Sequence, residues 1–114
     1  MNRDPIKLLA AQEDTRPRVD AWKVRCWREL RNLSQHDLAA KIGYGKHGDE
    51  TVCRIETYAL NAGEHRAQRL AKALRVSLND LQSLPVEWEL NRAAFAAWTA
   101  AGRPDLRTWL KTRG

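Results

Sequence analysis

Helix-capping and helix-stopping residues recur at short intervals along this sequence, and between them they leave room only for short helices. No run alternates apolar and polar residues, and β-branched residues are scattered. Ala, Leu, Arg, Lys, Glu and Gln dominate, so an all-α chain is expected. Asp4-Pro5 reads as an N-cap followed by a first-turn proline, opening a helix through about Gln12. Thr15 to Arg18 breaks the pattern as a linker. Asp20 then caps a helix from Ala21 to about Arg31 carrying Trp22, Val24, Trp27 and Leu30, with Asn32 as its left-handed stop.

Ser34 opens the next helix, and Asp37 at the third helical position supplies an acidic variant of the capping box. Leu38, Ala39 and Ile42 form its apolar face, and Gly43 ends it. After the turn Gly43-Tyr44-Gly45-Lys46-His47-Gly48, a helix capped by Gly48 or Asp49 runs from Glu50 to about Tyr58 with Val52 and Ile55 inward. Another spans Glu64 to Leu74, with Leu70, Ala71 and Leu74 on one stripe. Ser77 caps a short helix carrying Leu78, Leu81 and Leu84, and Pro85 is expected to stop it. Beyond it lie an Ala-rich helix with Phe95 and Trp98, a stop at Gly102, and a last segment from Asp105 with Leu106, Trp109 and Leu110.

A chain of 114 residues supports one compact core with appendages. The expected division is an N-terminal helix and linker (1–19), a five-helix bundle (20–84) and a helical extension (85–114). No apolar run reaches the length of a membrane span, and Asp4 and Pro5 interrupt any leader pattern, so a cytoplasmic protein with no membrane partner is expected. The net charge of +6 and a pI near 9.8 favour a polyanionic partner. Cys26 and Cys53 are isolated from each other and read as small buried hydrophobes.

The run from Arg28 to Gly43, Arg-Glu-Leu-Arg-Asn-Leu-Ser-Gln-His-Asp-Leu-Ala-Ala-Lys-Ile-Gly, resembles the helix-turn-helix core of the phage repressor and Cro family. That family includes the xenobiotic-response-element (XRE) regulators. Val52-Cys53-Arg54-Ile55-Glu56 fits a second family block in register, and Leu70 to Leu81 a third. The resemblance covers a little over half of the chain and implies a repressor-like helix-turn-helix bundle that binds double-stranded DNA. The apolar interior would be Leu38, Ala39, Ile42, Val52, Ile55, Leu70 and Leu74, with Ala39 small because two helices cross there. The resemblance also implies a buried ion pair between Arg28 and Glu56, and losing either partner would strand the other charge.

By the same resemblance, the helix opening at Ser34 and Gln35 lies across the phosphate backbone, and the helix containing Glu50, Thr51 and Arg54 enters the major groove. Arg54 suits guanine and Thr51 a thymine methyl. Lys46, His47, Tyr58, Asn61 and Arg66 flank that helix as expected phosphate contacts. Two departures stand out. The turn before the recognition helix is longer than the family's by about three residues. Asp49 and Glu50 also put negative charge where DNA approaches; they suit the helix dipole or cytosine N4, or else mark weakened DNA binding.

Gly43 to Gly48 formally spells G-x-G-x-x-G, but a helix precedes it where a dinucleotide site needs a strand. His36, His47, His65, Cys26 and Cys53 show no zinc-site spacing, and no nucleophile is paired with a base, so neither a metal, a cofactor nor an enzyme is expected. Trp88, Trp98 and Trp109 lie with Phe95 outside the family core. They either form a homodimer interface over 86–111 or wrap the same monomer. The reading is a bacterial or phage-encoded, nucleoid-associated regulator, expected to act as a repressor, that dimerises on a pseudo-palindromic operator. The alternative is an antitoxin or interaction module that uses the same fold to hold a protein partner on the C-terminal helices, with weak or no DNA binding.

Overall fold

The computed structural model describes residues 17–113 apart from 59 and 61, so the expected N-terminal helix over residues 5–12 lies outside the described residues. The described chain runs β1 (Arg18–Val19), α1 (Ala21–Leu30), α2 (Gln35–Lys41), α3 (Gly48–Glu56), α4 (Glu64–Leu74), a 3-10 turn (Leu78–Leu81), β2 (Gln82–Ser83), α5 (Pro85–Ala100) and α6 (Leu106–Arg113). Helices dominate, as their capping residues require. Asp20 accepts the Trp22 amide at 3.0 Å, and Ser34 and Asp37 complete a reciprocal capping box on α2. Asn32 takes the expected left-handed backbone, at φ +58, just beyond α1.

Three expectations change. Helix α3 starts at Gly48 with His47, rather than Gly48 or Asp49, at its N-cap, and it ends at Glu56, short of Tyr58. Arg18–Val19 and Gln82–Ser83 form a two-residue antiparallel ladder, pairing Arg18 with Ser83 and Val19 with Gln82. Two residues are too few to show alternation, so the sequence carries no period-two signal for this ladder. Pro85 opens α5 at its first turn, where the missing N–H costs nothing, and in consequence Leu84 stands outside the bundle at 55% exposure.

The core is the one that the apolar periodicity predicts. Leu38, Ala39, Ile42, Val52, Ile55, Leu70 and Leu74 are all buried, joined by Val24, Ala67, Ala71 and Leu81. Helices α2 and α3 touch at a close crossing that explains both Ala39 and Gly48. A Cβ on Gly48 would stand 2.8 Å from the Ala39 Cβ and 2.6 Å from the Tyr44 Cβ. The long turn thus folds back onto α2, with the Tyr44 amide bonded to the Ala39 carbonyl at 3.0 Å and Gly43 at φ +78.

A second apolar cluster joins the C-terminal helices to α1. Trp22, Trp98 and Leu106 are its buried centre, with Phe95, Trp109 and Tyr58 around them. The Trp22 ring meets Trp98 edge-on at 5.7 Å and Phe95 at 6.2 Å. Of the two tryptophan readings, the packing within one chain is what this cluster displays.

Candidate nucleic-acid interface

The expected pair of Arg28 and Glu56 is present and almost sealed from water. Arg28 Nε donates to Glu56 Oε2 at 2.6 Å and Nη2 donates to Oε1 at 3.0 Å, a two-pronged fork at the C-terminal end of α3. Arg28 Nη1 also donates to the Leu33 carbonyl at 2.7 Å, fixing the turn before α2. Glu56 is fully buried and accepts as well from Gln35 Nε2 at 3.2 Å. One carboxylate therefore ties α1, α2 and α3 together and sets the angle at which α3 leaves the bundle.

Sequence reasoning missed a further member. Arg25, 5% exposed, places Nη2 3.6 Å from Glu56 Oε1, while its guanidinium lies 5.7 Å from the Phe95 ring and 5.1 Å from the Trp98 ring. Burial lowers its pKa from the ordinary arginine value, and the Glu56 charge opposes that shift. A second connection runs through buried Asp20, which accepts from the Tyr58 hydroxyl at 2.8 Å and from Asn91 Nδ2 at 2.8 Å. The extension therefore grips the residues just beyond α3. Only the capping role of Asp20 was readable locally; its long-range donors carry no sequence signal.

The structure gathers part of the expected contact set on one surface. His47, Glu50, Thr51 and Arg54 fall at i, i+3, i+4 and i+7, on the side of α3 opposite buried Val52 and Ile55. Glu50 and Arg54 are exposed and Thr51 is half-buried. Lys46 stands exposed just before the helix, and His47 Nδ1 is 3.8 Å from Glu50 Oε1, an ion pair only when the imidazole is protonated. Asp49 and Glu50 occupy the first turn of α3, where they favour the positive end of the helix dipole.

Other expected contacts are placed differently. Ser34 is exposed at the start of α2 with its hydroxyl accepting the Asp37 amide at 2.9 Å, and Gln35 is half-buried with its amide on Glu56. The Arg66 guanidinium stacks 5.7 Å from the Tyr44 ring and so buttresses the long turn. Tyr58 has a left-handed backbone at φ +64, and its ring packs edge-on against Trp88 and Phe95 with its hydroxyl committed to Asp20. Burial and the neighbouring Asp20 push its pKa well up. Its side chain belongs to the scaffold. Asn61 lies outside the described residues. Cys53, expected to be buried, is exposed on α3 beside Arg54, because its position turns away from the Val52–Ile55 face. Cys26 is half-buried.

Among the described residues no helix is long and apolar enough to cross a membrane. A family model described as helix-turn-helix matches residues 25–81, from α1 through the 3-10 turn. No curated protein and no solved structure matches the chain in the corresponding comparisons. The matched domain is a DNA-binding regulatory one, not typically enzymatic. With half of the chain matched and the α2–α3 unit locked by Arg28 and Glu56, the protein belongs to the XRE-type, phage repressor and Cro family of helix-turn-helix DNA-binding regulators.

Proposed function

We propose that the protein is a transcriptional repressor that binds a pseudo-palindromic operator as a dimer and acts by occluding the DNA it covers, in the cytoplasm of a bacterial host. The observation that carries this reading is the row formed by His47, just before α3, and Glu50, Thr51 and Arg54 along it, on the side away from Val52 and Ile55 of a helix clamped at Glu56 by a buried ion pair. A row of polar side chains on a rigid helix is what major-groove readout requires. In this reading Arg54 donates to guanine O6 and N7, Thr51 touches a thymine methyl, and Glu50 accepts from cytosine N4.

Lys46, His47 and Arg66 flank the groove toward phosphates, and the start of α2 at Ser34 and Gln35 meets the backbone through its amides. Tyr58 is left out, since its hydroxyl is already bonded. Half-sites of a dimer should lie about one helical turn apart, roughly 10 base pairs, or a multiple of it. Selection of bound duplexes from a random pool tests this directly. An enriched inverted repeat is the expected result. A pool that stays unenriched refutes the operator reading and points to a protein partner.

A further inference from the structure

Helix α5 has two apolar faces, and the described residues cover one. The inner face turns Trp88, Asn91, Phe95 and Trp98 toward α1 and Tyr58. The outer face carries Val86, Leu90, Ala93, Ala97 and Ala100 at successive steps of four, three, four and three residues, and all five are exposed. Val86 is 76% exposed and Leu90 66%, with Leu84 adding to the patch just before the helix. Three of the four large apolar side chains exposed among the described residues therefore lie on this stretch. A four-three repeat is the seam that one helix offers another of the same repeat.

We propose that the outer face of α5 is the contact between two copies of this chain, with the two helices antiparallel about a two-fold axis. The large residues occupy the N-terminal half of the stripe and the alanines the C-terminal half. Antiparallel pairing therefore sets Val86 and Leu90 of one copy against Ala97 and Ala93 of the other, large on small, and lets the backbones approach closely. Parallel pairing would stack valine on valine and leave the alanine layers gapped. Charge selects the same arrangement. Glu89 flanks the stripe, exposed and without an ion pair among the described residues, and Arg92 follows on the next turn, exposed although its guanidinium lies 5.4 Å from the Trp88 ring and 5.9 Å from the Tyr58 ring. The antiparallel pair puts each Glu89 on the same flank as Arg92 of the other copy, whereas the parallel one sets Glu89 against Ala94 and leaves it without a facing cation. The helix dipoles oppose each other as well.

This inference rests on the dimeric operator reading and names its surface: the alanine-rich outer stripe, with the tryptophans turned inward. Sedimentation of the full chain at roughly 10 μM tests it, within the range where a specific interface holds a dimer. The wild type is expected to be dimeric. Leu90→Glu and Ala93→Glu are each expected to raise the dissociation constant at least about tenfold with helical circular dichroism unchanged, because both positions are exposed. Glu89→Arg should weaken the dimer, and adding Arg92→Glu should restore it. A monomeric wild type overturns the proposal, the stripe then having another occupant such as the chain's own residues 1–16. A dimer indifferent to both stripe substitutions overturns it too. A dimer lost in Leu90→Glu that selects no operator leaves this surface standing while the operator reading fails; a monomer that enriches a single half-site does the reverse.

Discussion

Glu56→Gln isolates the charge that holds α3 against α1 and α2, because the amide keeps the shape of the side chain and removes its anion. Glu56 is fully buried, and the two guanidiniums that face it, Arg28 and Arg25, are only 7% and 5% exposed. The substitution replaces an ionic fork of 2.6 and 3.0 Å with at most one neutral acceptor and leaves both cations without their counter-charge. Breaking one side of a buried ion pair costs about 3–5 kcal/mol, a large part of the stability of a domain this size. Urea unfolding followed by tryptophan fluorescence at pH 7 reads it. With a slope of about 1–2 kcal/mol per molar, a loss of 3 kcal/mol lowers the midpoint by about 1.5–3 M. Removing both members of the fork, as Arg28→Met with Glu56→Leu, should be milder than Glu56→Gln alone, since one buried guanidinium, Arg25, is then left without its counter-charge instead of two. A loss below about 1 kcal/mol in Glu56→Gln would show that water reaches the pair, and would refute the clamp.

Four further outcomes are expected. Gly48→Ala should destabilise by about 1–3 kcal/mol in the same assay, because its Cβ would lie 2.6 Å from Tyr44 and 2.8 Å from Ala39; an unchanged midpoint would mean that the long turn moves freely. Burial pushes the Cys26 thiol up to about 12, so the folded protein should expose one fast-labelling thiol, Cys53, at pH 8, with Cys26 reacting only on unfolding. Because the folded value lies above the unfolded value of 9.0, the stability from this group is complete below pH 9 and is lost as pH rises from there toward 12. Arg54→Ala should weaken operator binding by about 1–3 kcal/mol and relax specificity at one base pair; a uniform loss across sequences would make Arg54 a phosphate contact.

Much of this architecture was legible because its signals are local. Ser34 with Asp37, Asn32 and Gly43 mark helix ends through bonds and backbone angles that involve near neighbours, and those ends fall where expected. The buried set from Leu38 to Leu74 follows from helical periodicity, and the pairing of Arg28 with Glu56 followed from the family resemblance. What escaped depends on residues far apart in sequence. Arg25 and Tyr58 look like solvated side chains until α5 brings Phe95, Trp98 and Trp88 over them. Pro85 carries the same breaking signal whether it ends one helix or begins the next. The row on α3 was foreseen at Glu50, Thr51 and Arg54, whereas the outward position of Cys53 depends on how α3 is rotated against α2, which the longer turn obscures.

The measurement that bears most directly on the central claim is binding of the purified protein to duplex DNA across a series of salt concentrations, with Arg54→Ala alongside. For a reader of the major groove held by several phosphate contacts, log affinity should fall linearly and steeply with log salt, by about 0.9 per phosphate neutralised, and the wild type should prefer its selected site over random duplex. Weak binding at low salt, with no preference that Arg54→Ala can abolish, would contradict the assignment of α3 as the recognition helix.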